Sequence, residues 1–473
     1  MTTRRLRVPS PDTAVEDALA AVRAKHDLTA DFPPEVEAEA LRAASAPDES
    51  PRVDLTELPF VTIDPPGSLD LDQAVLITEE NGTTLVRYAI ADVPSFVEPG
   101  GALDAETRRR GQTIYLPDGR IPLHPPVLSE AAASLLPGDP RRAFVWTFEL
   151  DATGEPQRTT LQRALVTSVA RLDYAGVQAS FDAGDPHPSI ALLQRVGEQR
   201  IALEAARGGA SLTLPEEEIV RDDDGYRVER RAPLAVEGWN AQISLMTGMA
   251  AARIMLDANI GILRTMPPAD ADAVAAFRRK TETLGHPWPE EQGYGDYLRG
   301  LDTADPAHLA IMYAAASLFR GAGYTAFDGE APDSPVQAAI AAPYAHTTAP
   351  LRRLVDRFVL ALCAALANGE EPPRWVRDAL PELPASMAAS DRLAGSVERL
   401  TQAIIEAAVL RSRIGESFDG IVVSGSSKRS SVQLLEPELT VDVAARLDIG
   451  SRVRLRLDAV DVAAGTTSFA VAD

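Results

Sequence analysis

The stretch Thr62-Ile63-Asp64-Pro65-Pro66-Gly67-Ser68-Leu69-Asp70-Leu71-Asp72-Gln73-Ala74 decides how this chain reads. Asp64, Asp70 and Asp72 lie close together between two apolar runs, Phe60-Val61-Thr62-Ile63 and Ala74-Val75-Leu76-Ile77. Pro65-Pro66-Gly67 forces a turn between two strand-like segments. Residues two apart in an extended segment share a face, so Asp70 and Asp72 point the same way. Converging anions repel unless a cation neutralises them, and hard carboxylate oxygens suit magnesium. On the pattern alone, a polar turn capped by Asp side chains is the competing reading.

Further blocks follow in order: Tyr88-Ala89-Ile90-Ala91-Asp92-Val93, Arg110-Gly111-Gln112-Thr113-Ile114-Tyr115-Leu116-Pro117, Ile121-Pro122-Leu123-His124-Pro125 and Leu128-Ser129. Far downstream comes Tyr344-Ala345-His346-Thr347-Thr348-Ala349-Pro350-Leu351-Arg352-Arg353. Together these resemble the ribonuclease II family and its RNB catalytic domain. That family's signature is Thr-Ile-Asp-Pro, a short turn and Asp-x-Asp-Asp-Ala, with a later Tyr-x-x-x-Thr-Ser-Pro-Ile-Arg-Arg box. The resemblance runs from Val53 to the C terminus and includes no counterpart of the N-terminal cold-shock-type domains that many members carry.

The resemblance implies roles residue by residue. Asp64, Asp70 and Asp72 hold Mg2+ and orient the attacking water, with Asp72 nearest the reaction, while Arg352 holds the phosphate. Gln73 stands where the family has a fourth acid; its amide oxygen can still ligate a metal, with the loss of one formal charge and of affinity. Ala349, Leu354 and Leu360 replace a Ser, an aromatic and a His of the family box. Tyr115 matches an aromatic that stacks on the terminal base, Tyr174 a ring lining the RNA channel, and Glu398 an acid that contacts the RNA end. Stacking contributes roughly 1–3 kcal/mol per base and tolerates any sequence. In Gly209 to Leu214 the chain has Leu and Thr where another aromatic is usual. Asn240 and Gln242 fall in a region where the family often carries acids, without a definite alignment. Read without the family, a lone Tyr is equally a core residue, Glu398 a surface charge and Arg352-Arg353 a solvated pair.

Pro350 is a favourable first residue for a helix from Pro350 to Asn368 ending at Gly369, which sets Arg352 at the positive end of that helix. His346 lies inside the box and receives no catalytic role. Histidine pairs of the His-Glu-x-x-His kind, the phosphate-loop lysine motif and Gly-x-Ser-x-Gly do not occur.

At 473 residues, 45% of them hydrophobic, the chain is expected to form two or three domains. A net charge of −23 runs against phosphate binding over the whole surface, although a channel can be locally basic. The basic residues are nearly all Arg, with only Lys25, Lys280 and Lys428 as lysines. Cys363 is the single cysteine, so no internal disulfide or cysteine zinc site forms. No long apolar run occurs, and a cytoplasmic protein without a membrane partner is expected.

Residues 1–50 read as a helical module, possibly helix-turn-helix-like or a collar on the main domain, with helices Ala14 to Lys25 and Pro34 to Ala44. Residues 51–413 read as an α+β catalytic domain, a mixed sheet with long helices: strand-like runs to about Arg231, then helices at Leu234 to Ala258, Pro306 to Phe319, Pro350 to Asn368 and Ala388 to Arg413. Residues 414–473 return to short strands, which resemble an RNA-binding OB-fold barrel. The function implied is a magnesium-dependent 3′→5′ exoribonuclease releasing nucleoside 5′-monophosphates from single-stranded RNA. Two alternatives stand beside it: a weakened member that binds RNA 3′ ends as a regulator or adaptor, and a phosphodiesterase for small nucleotides. Nothing in the sequence indicates a protein partner.

Overall fold

Along Arg141–Leu150, Phe144, Trp146 and Phe148 alternate with Ala143 and Val145, and all five are fully buried. A strand covered on both faces reads as an unbroken apolar run, which is why this segment lacks the usual alternation with polar residues. The computed structural model describes residues 7–9, 12–47, 50–210, 216–222, 225–231, 233–302, 305–318, 320–436 and 439–472. Arg141–Leu150 is the fourth strand of a closed barrel formed by β1 (Val53–Asp64), β2 (Gln73–Glu80), β3 (Thr83–Ala91), β4 (Arg141–Leu150) and β5 (Pro156–Asp173). Neighbours are antiparallel except where β1 closes on β5 in parallel.

The two barrel faces feed different cores. Val75, Ile77, Tyr88, Ile90 and Trp146 pack with long helices, while Ala74, Leu76, Ala89, Ala91 and Val145 pack with Phe32, Val36, Leu103 and Leu351. Small residues dominate the second face because chain segments lie close against it.

Helix α1 (Thr13–Lys25) starts at Asp12, whose carboxylate accepts from the Ala14 and Val15 amides. Helix α2 (Pro34–Ser45) follows, with proline in its first turn. The two helices lie in different cores. Val15, Leu19 and Val22 of α1 pack with Val397, Ile404 and Ile405, whereas Val36 and Ala40 of α2 pack with Phe96 and Leu103.

The strand-rich reading to Arg231 is corrected in part. Helices α3 (Ala102–Arg110) and α4 (Leu193–Ala206) also fall there, and after the barrel come α5 (Ala235–Asp257), α6 (Leu354–Ala367) and α7 (Leu383–Leu410). The expected helix from Pro306 ends earlier, at Ala315, and Phe319 lies outside the described residues.

The C-terminal strands β6 (Ser417–Gly425), β7 (Ser430–Leu434), β8 (Thr440–Val443), β9 (Arg452–Asp461) and β10 (Thr466–Val471) form one antiparallel sheet in the order β8-β7-β6-β9-β10. Its edges, β8 and β10, pack against each other, curling the sheet towards a barrel around Phe418, Val432, Leu455 and Phe469. Among the described residues no helix is long and apolar enough to cross a membrane.

A buried ion pair locks α3 to α6. Arg357 Nη1 meets Asp104 Oδ1 at 2.6 Å, and Arg357 Nη2 donates to the Val97 carbonyl at 3.0 Å, with both side chains almost wholly enclosed. Removing one partner of such a pair strands the other charge. Asp104→Ala is expected to lower unfolding free energy by about 3–5 kcal/mol in denaturant titration, and a loss below about 1 kcal/mol would show that the pair does not hold these helices.

Candidate active site

The acidic stretch is held open by its surroundings. Gly67, at φ 83°, turns the chain after β1, and the Ser68 amide donates to the Pro65 carbonyl at 3.2 Å. Positive φ suits glycine because a Cβ would be strained there. Leu71 is fully buried; its N–H donates to Ser134 Oγ at 2.9 Å and its carbonyl accepts from the Leu135 amide at 3.0 Å. Pinning Leu71 into the core leaves the residues on either side of it, Asp70 and Asp72, to turn to the opposite face.

Asp64 ends β1 beside Asp173 at the end of the parallel strand β5. Asp173 caps the short helix Tyr174–Asp182, so the parallel pair delivers Asp64 and Tyr174 to the same edge. Tyr174 is partly buried against the main core, and its hydroxyl accepts from Asn240 Nδ2 at 3.4 Å. Gln242, two residues on, donates instead to buried Glu204.

The downstream box meets the acids from the other side. The Leu351 N–H donates to Asp72 Oδ1 at 2.7 Å, and Arg352 Nε lies 3.7 Å from Asp72 Oδ2. Arg352 is not in the helix: α6 begins at Leu354, Pro350 to Arg352 form a turn, and Arg353 bridges Gln112. The expected start at Pro350 is therefore corrected. The Ala349 amide donates to Asp356 Oδ1 at 2.8 Å, the Arg352 carbonyl accepts from Thr113, and the Leu354 amide donates to the Gly111 carbonyl. The last two bonds use backbone groups that a helix starting at Pro350 requires.

The two arginines divide their tasks. Arg353 holds Asp356 through Nε at 2.5 Å and Nη2 at 2.9 Å, and Asp356 is fully buried. Arg352 keeps 47% of its side chain exposed and lines a cleft of about 480 Å³ together with Tyr115, Glu398, Gln112 and Gln402. Tyr115 is 52% exposed. The structure thus brings Arg352, Tyr115 and Glu398 to one cleft, with Asp72 behind Arg352, and sets Tyr174 apart beside Asp64.

Burial pushes the Asp64 carboxyl up to about 7, the nearby Asp70 adds to the shift, and Arg352 and Arg171 oppose it. Asp64 Oδ2 is enclosed without a hydrogen-bond partner. Asp72, only 4% exposed, is pushed well up by burial, against the pull of Arg352 and the Leu351 amide, with Asp356 and Asp70 adding repulsion. Asp70 is thus the common neighbour of the other two acids.

Sequence reasoning missed the cation that answers Asp70. Arg120 Nη1 lies 2.6 Å from Asp70 Oδ1, and its Nη2 lies 2.6 Å from Glu130 Oε1. A legible signal existed, since Asp118-Gly119 makes a tight turn that sets Arg120 directly across from Tyr115 in the hairpin. Arg171, which donates to the Ser68 carbonyl at 3.1 Å, was missed as well, having no pattern in the sequence to mark it.

Gln73 differs from the expectation of a metal ligand. Its Nε2 donates to the Thr348 carbonyl at 2.7 Å, and its Oε1 accepts from the buried Tyr88 hydroxyl. The amide serves the packing between β2, β3 and the downstream box. His346 is almost enclosed and accepts or donates at Nδ1 with the Tyr324 hydroxyl at 2.7 Å; burial and three arginines, Arg353, Arg264 and Arg352, hold it neutral. The Leu and Thr expected to thin the base clamp lie at 212 to 214, outside the described residues.

Among the described residues no three His, Cys, Asp or Glu side chains converge tightly enough to hold a metal ion. The donor chemistry of Asp64, Asp70 and Asp72 nonetheless suits a hard divalent cation, and one enclosed Asp64 oxygen is left without a hydrogen-bond partner. At Asp70 the positive charge is supplied by Arg120.

Buried Asp72 thus lies behind an exposed arginine that shares its cleft with a half-exposed tyrosine ring. The chain belongs to the RNB family: residues 52–368 match the RNB domain, and residues 416–472 match the RNase II-type exonuclease C-terminal S1 domain. It is 34% identical over 185 residues to the human exosome complex exonuclease RRP44, covering 38% of this chain and 19% of that protein. Escherichia coli ribonuclease R is 29% identical over 324 residues, 64% of this chain and 39% of its own length. Vibrio parahaemolyticus ribonuclease R is 25% identical over 450 residues, 87% of this chain and 52% of its own. The chain therefore spans about half or less of the length of these curated relatives.

Among solved structures, Mycoplasma genitalium RNase R in complex with ribose methylated single-stranded RNA superposes with a TM-score of 0.88 at 18% identity, over 97% of this chain and 78% of that one. Yeast Ssd1, described as a pseudonuclease, gives 0.72 at 17% identity, over 92% and 56%. Both likenesses are of fold.

Two outcomes follow from this geometry. A carboxyl raised to about 7 keeps its proton where the unfolded chain has lost it, so metal-free stability falls as pH rises between about 4 and 7. Thermal melts in chelator should show that slope, and Asp64→Asn should flatten it; an unchanged slope contradicts the assignment. Gln73→Asp leaves the Thr348 carbonyl without its donor and should cost about 1–3 kcal/mol. It should also leave the magnesium midpoint of thermal stabilisation where it was, whereas a shift to lower magnesium would make position 73 a ligand.

Proposed function

We propose that this protein is a Mg2+-dependent 3′→5′ exoribonuclease that hydrolyses single-stranded RNA to nucleoside 5′-monophosphates. The observation that carries this reading is the meeting of buried Asp72 with Arg352, which lines the same cleft as Tyr115 and Glu398. When bound, a magnesium ion would neutralise the charge developing on the phosphate and activate water. Asp64, Asp70 and Asp72 would hold it, Asp70 exchanging Arg120 for the ion. Arg352 positions the phosphate by charge and hydrogen bonds. Tyr115, half exposed at the cleft wall, offers a face on which the terminal base stacks. Glu398 faces the same cleft and suits the ribose hydroxyls, the groups that distinguish RNA from DNA. The C-terminal S1 domain supplies a further single-strand surface. In this reading residues 51–413 are the catalytic unit, 414–473 the RNA-binding OB-fold and 1–50 a helical collar, and the protein works in the cytoplasm.

A second reading is favoured by one observation, the engagement of Gln73 in packing at the position where the family signature has a fourth acid. It makes the protein a weakened member that retains RNA 3′ ends without turning them over.

End-labelled single-stranded RNA with magnesium separates the two. Wild type should release mononucleotides, and Asp72→Asn should reduce the rate by at least about 100-fold, the scale of a lost positioned acid or base. Tight binding without release in either protein selects the second reading.

A further inference from the structure

A second cleft, of about 600 Å³, lies further along α5 and shares no residue with the acidic one. Ser244 of α5 touches Thr348 of the arginine box, whereas Met246, Met249 and Leu256 line this second space. Its volume is that of a small-molecule site.

Two arginines of one helical face supply its charge. Arg200, in α4, and Arg207, just past the end of α4, are seven residues apart, two turns of helix. Arg200 is 2% exposed; its Nη1 donates to the Gly154 carbonyl at 3.0 Å and to Glu155 Oε2 at 2.9 Å, while its Nε is enclosed with no acceptor. Arg207 donates through Nε to the Ile340 carbonyl at 3.3 Å, and its Nη2 is likewise enclosed with no acceptor. Burial lowers the proton affinity of both, and the charge of Arg200 lowers that of Arg207 further. The carboxylate bonded to Arg200, that of Glu155, is itself half exposed and leaves one buried donor of each arginine unanswered.

An unanswered donor on a buried guanidinium costs free energy, and two beside one cleft point to a missing acceptor. A phosphate fits the guanidinium fork better than a neutral group does. The opposite wall is of another kind: the thioethers of Met246 and Met249, with Leu256 and Pro343, are soft apolar surface suited to a flat ring.

We propose that this cleft binds a nucleoside monophosphate, with its phosphate on Arg200 and Arg207 and its base against the methionine wall. The site takes a phosphomonoester with an attached ring, in preference to free phosphate. It does not require that the acidic site be a nuclease.

The test is calorimetric titration of the full chain, in chelator so that the acidic site holds no metal, with AMP and separately with inorganic phosphate. Saturable AMP binding is expected, with inorganic phosphate weaker. Arg207→Gln should weaken AMP by about tenfold or more, and Met249→Glu, which places an acid in the cleft, should do the same should the arginine variant fold poorly. Arg374→Gln, at an exposed arginine that lines neither cleft, should leave AMP binding unchanged. The proposal is overturned by absence of AMP binding, by equal affinity for inorganic phosphate, or by AMP binding that neither Arg207→Gln nor Met249→Glu weakens.

Discussion

The hydrogen bond from the Leu351 amide to Asp72, spanning 279 positions of sequence, is the contact on which the site depends. Asp72 sits almost fully out of water, where a carboxylate is costly unless neighbours answer it. The answer comes from one turn of chain, through a backbone N–H and the Arg352 guanidinium. That turn has its own anchors. Asp356 accepts the Ala349 amide and takes up Arg353, which leaves Arg352 to face the cleft. A paired, mostly buried arginine beside an exposed one lets the same dipeptide serve packing and line the cleft.

Arg120 gives the acids a second character. Its guanidinium bridges Asp70 and Glu130, so the hairpin carrying Tyr115 is tied to the acidic loop. On the reading proposed above, a cation held among the acids would compete with that tie. Ring position and metal binding would then be linked through one side chain, a coupling that the bare spacing of acids does not suggest.

Much of this was legible from the residues. The alternation Asp70-Leu71-Asp72 placed two acids on one face because Leu71 had to enter the core, and it does. The α+β class and the small C-terminal barrel followed from where apolar runs shorten to strand length, and residues 416–472 match the S1 domain expected there. The helix start at Pro350 was misread because proline suits a first turn in isolation, while the Arg352 carbonyl and the Leu354 amide that such a helix needs are here taken by Thr113 and Gly111. Helix α4 was hidden among strand-like stretches, since its buried positions include Arg200 and Glu204, polar residues that break the apolar stripe. Gln73 was read as a diluted ligand because the family signature has an acid at that position, yet its amide is taken up by Tyr88 and Thr348. Such contacts across the chain leave no trace in local spacing.

The central claim is that Asp72 and Arg352 act as one unit on the same phosphate. A double-mutant cycle tests it most directly, with single-turnover rates on single-stranded RNA for wild type, Asp72→Asn, Arg352→Ala and the double variant. The account predicts strong non-additivity, the double variant being hardly slower than Asp72→Asn alone. Independent, multiplying losses would contradict it.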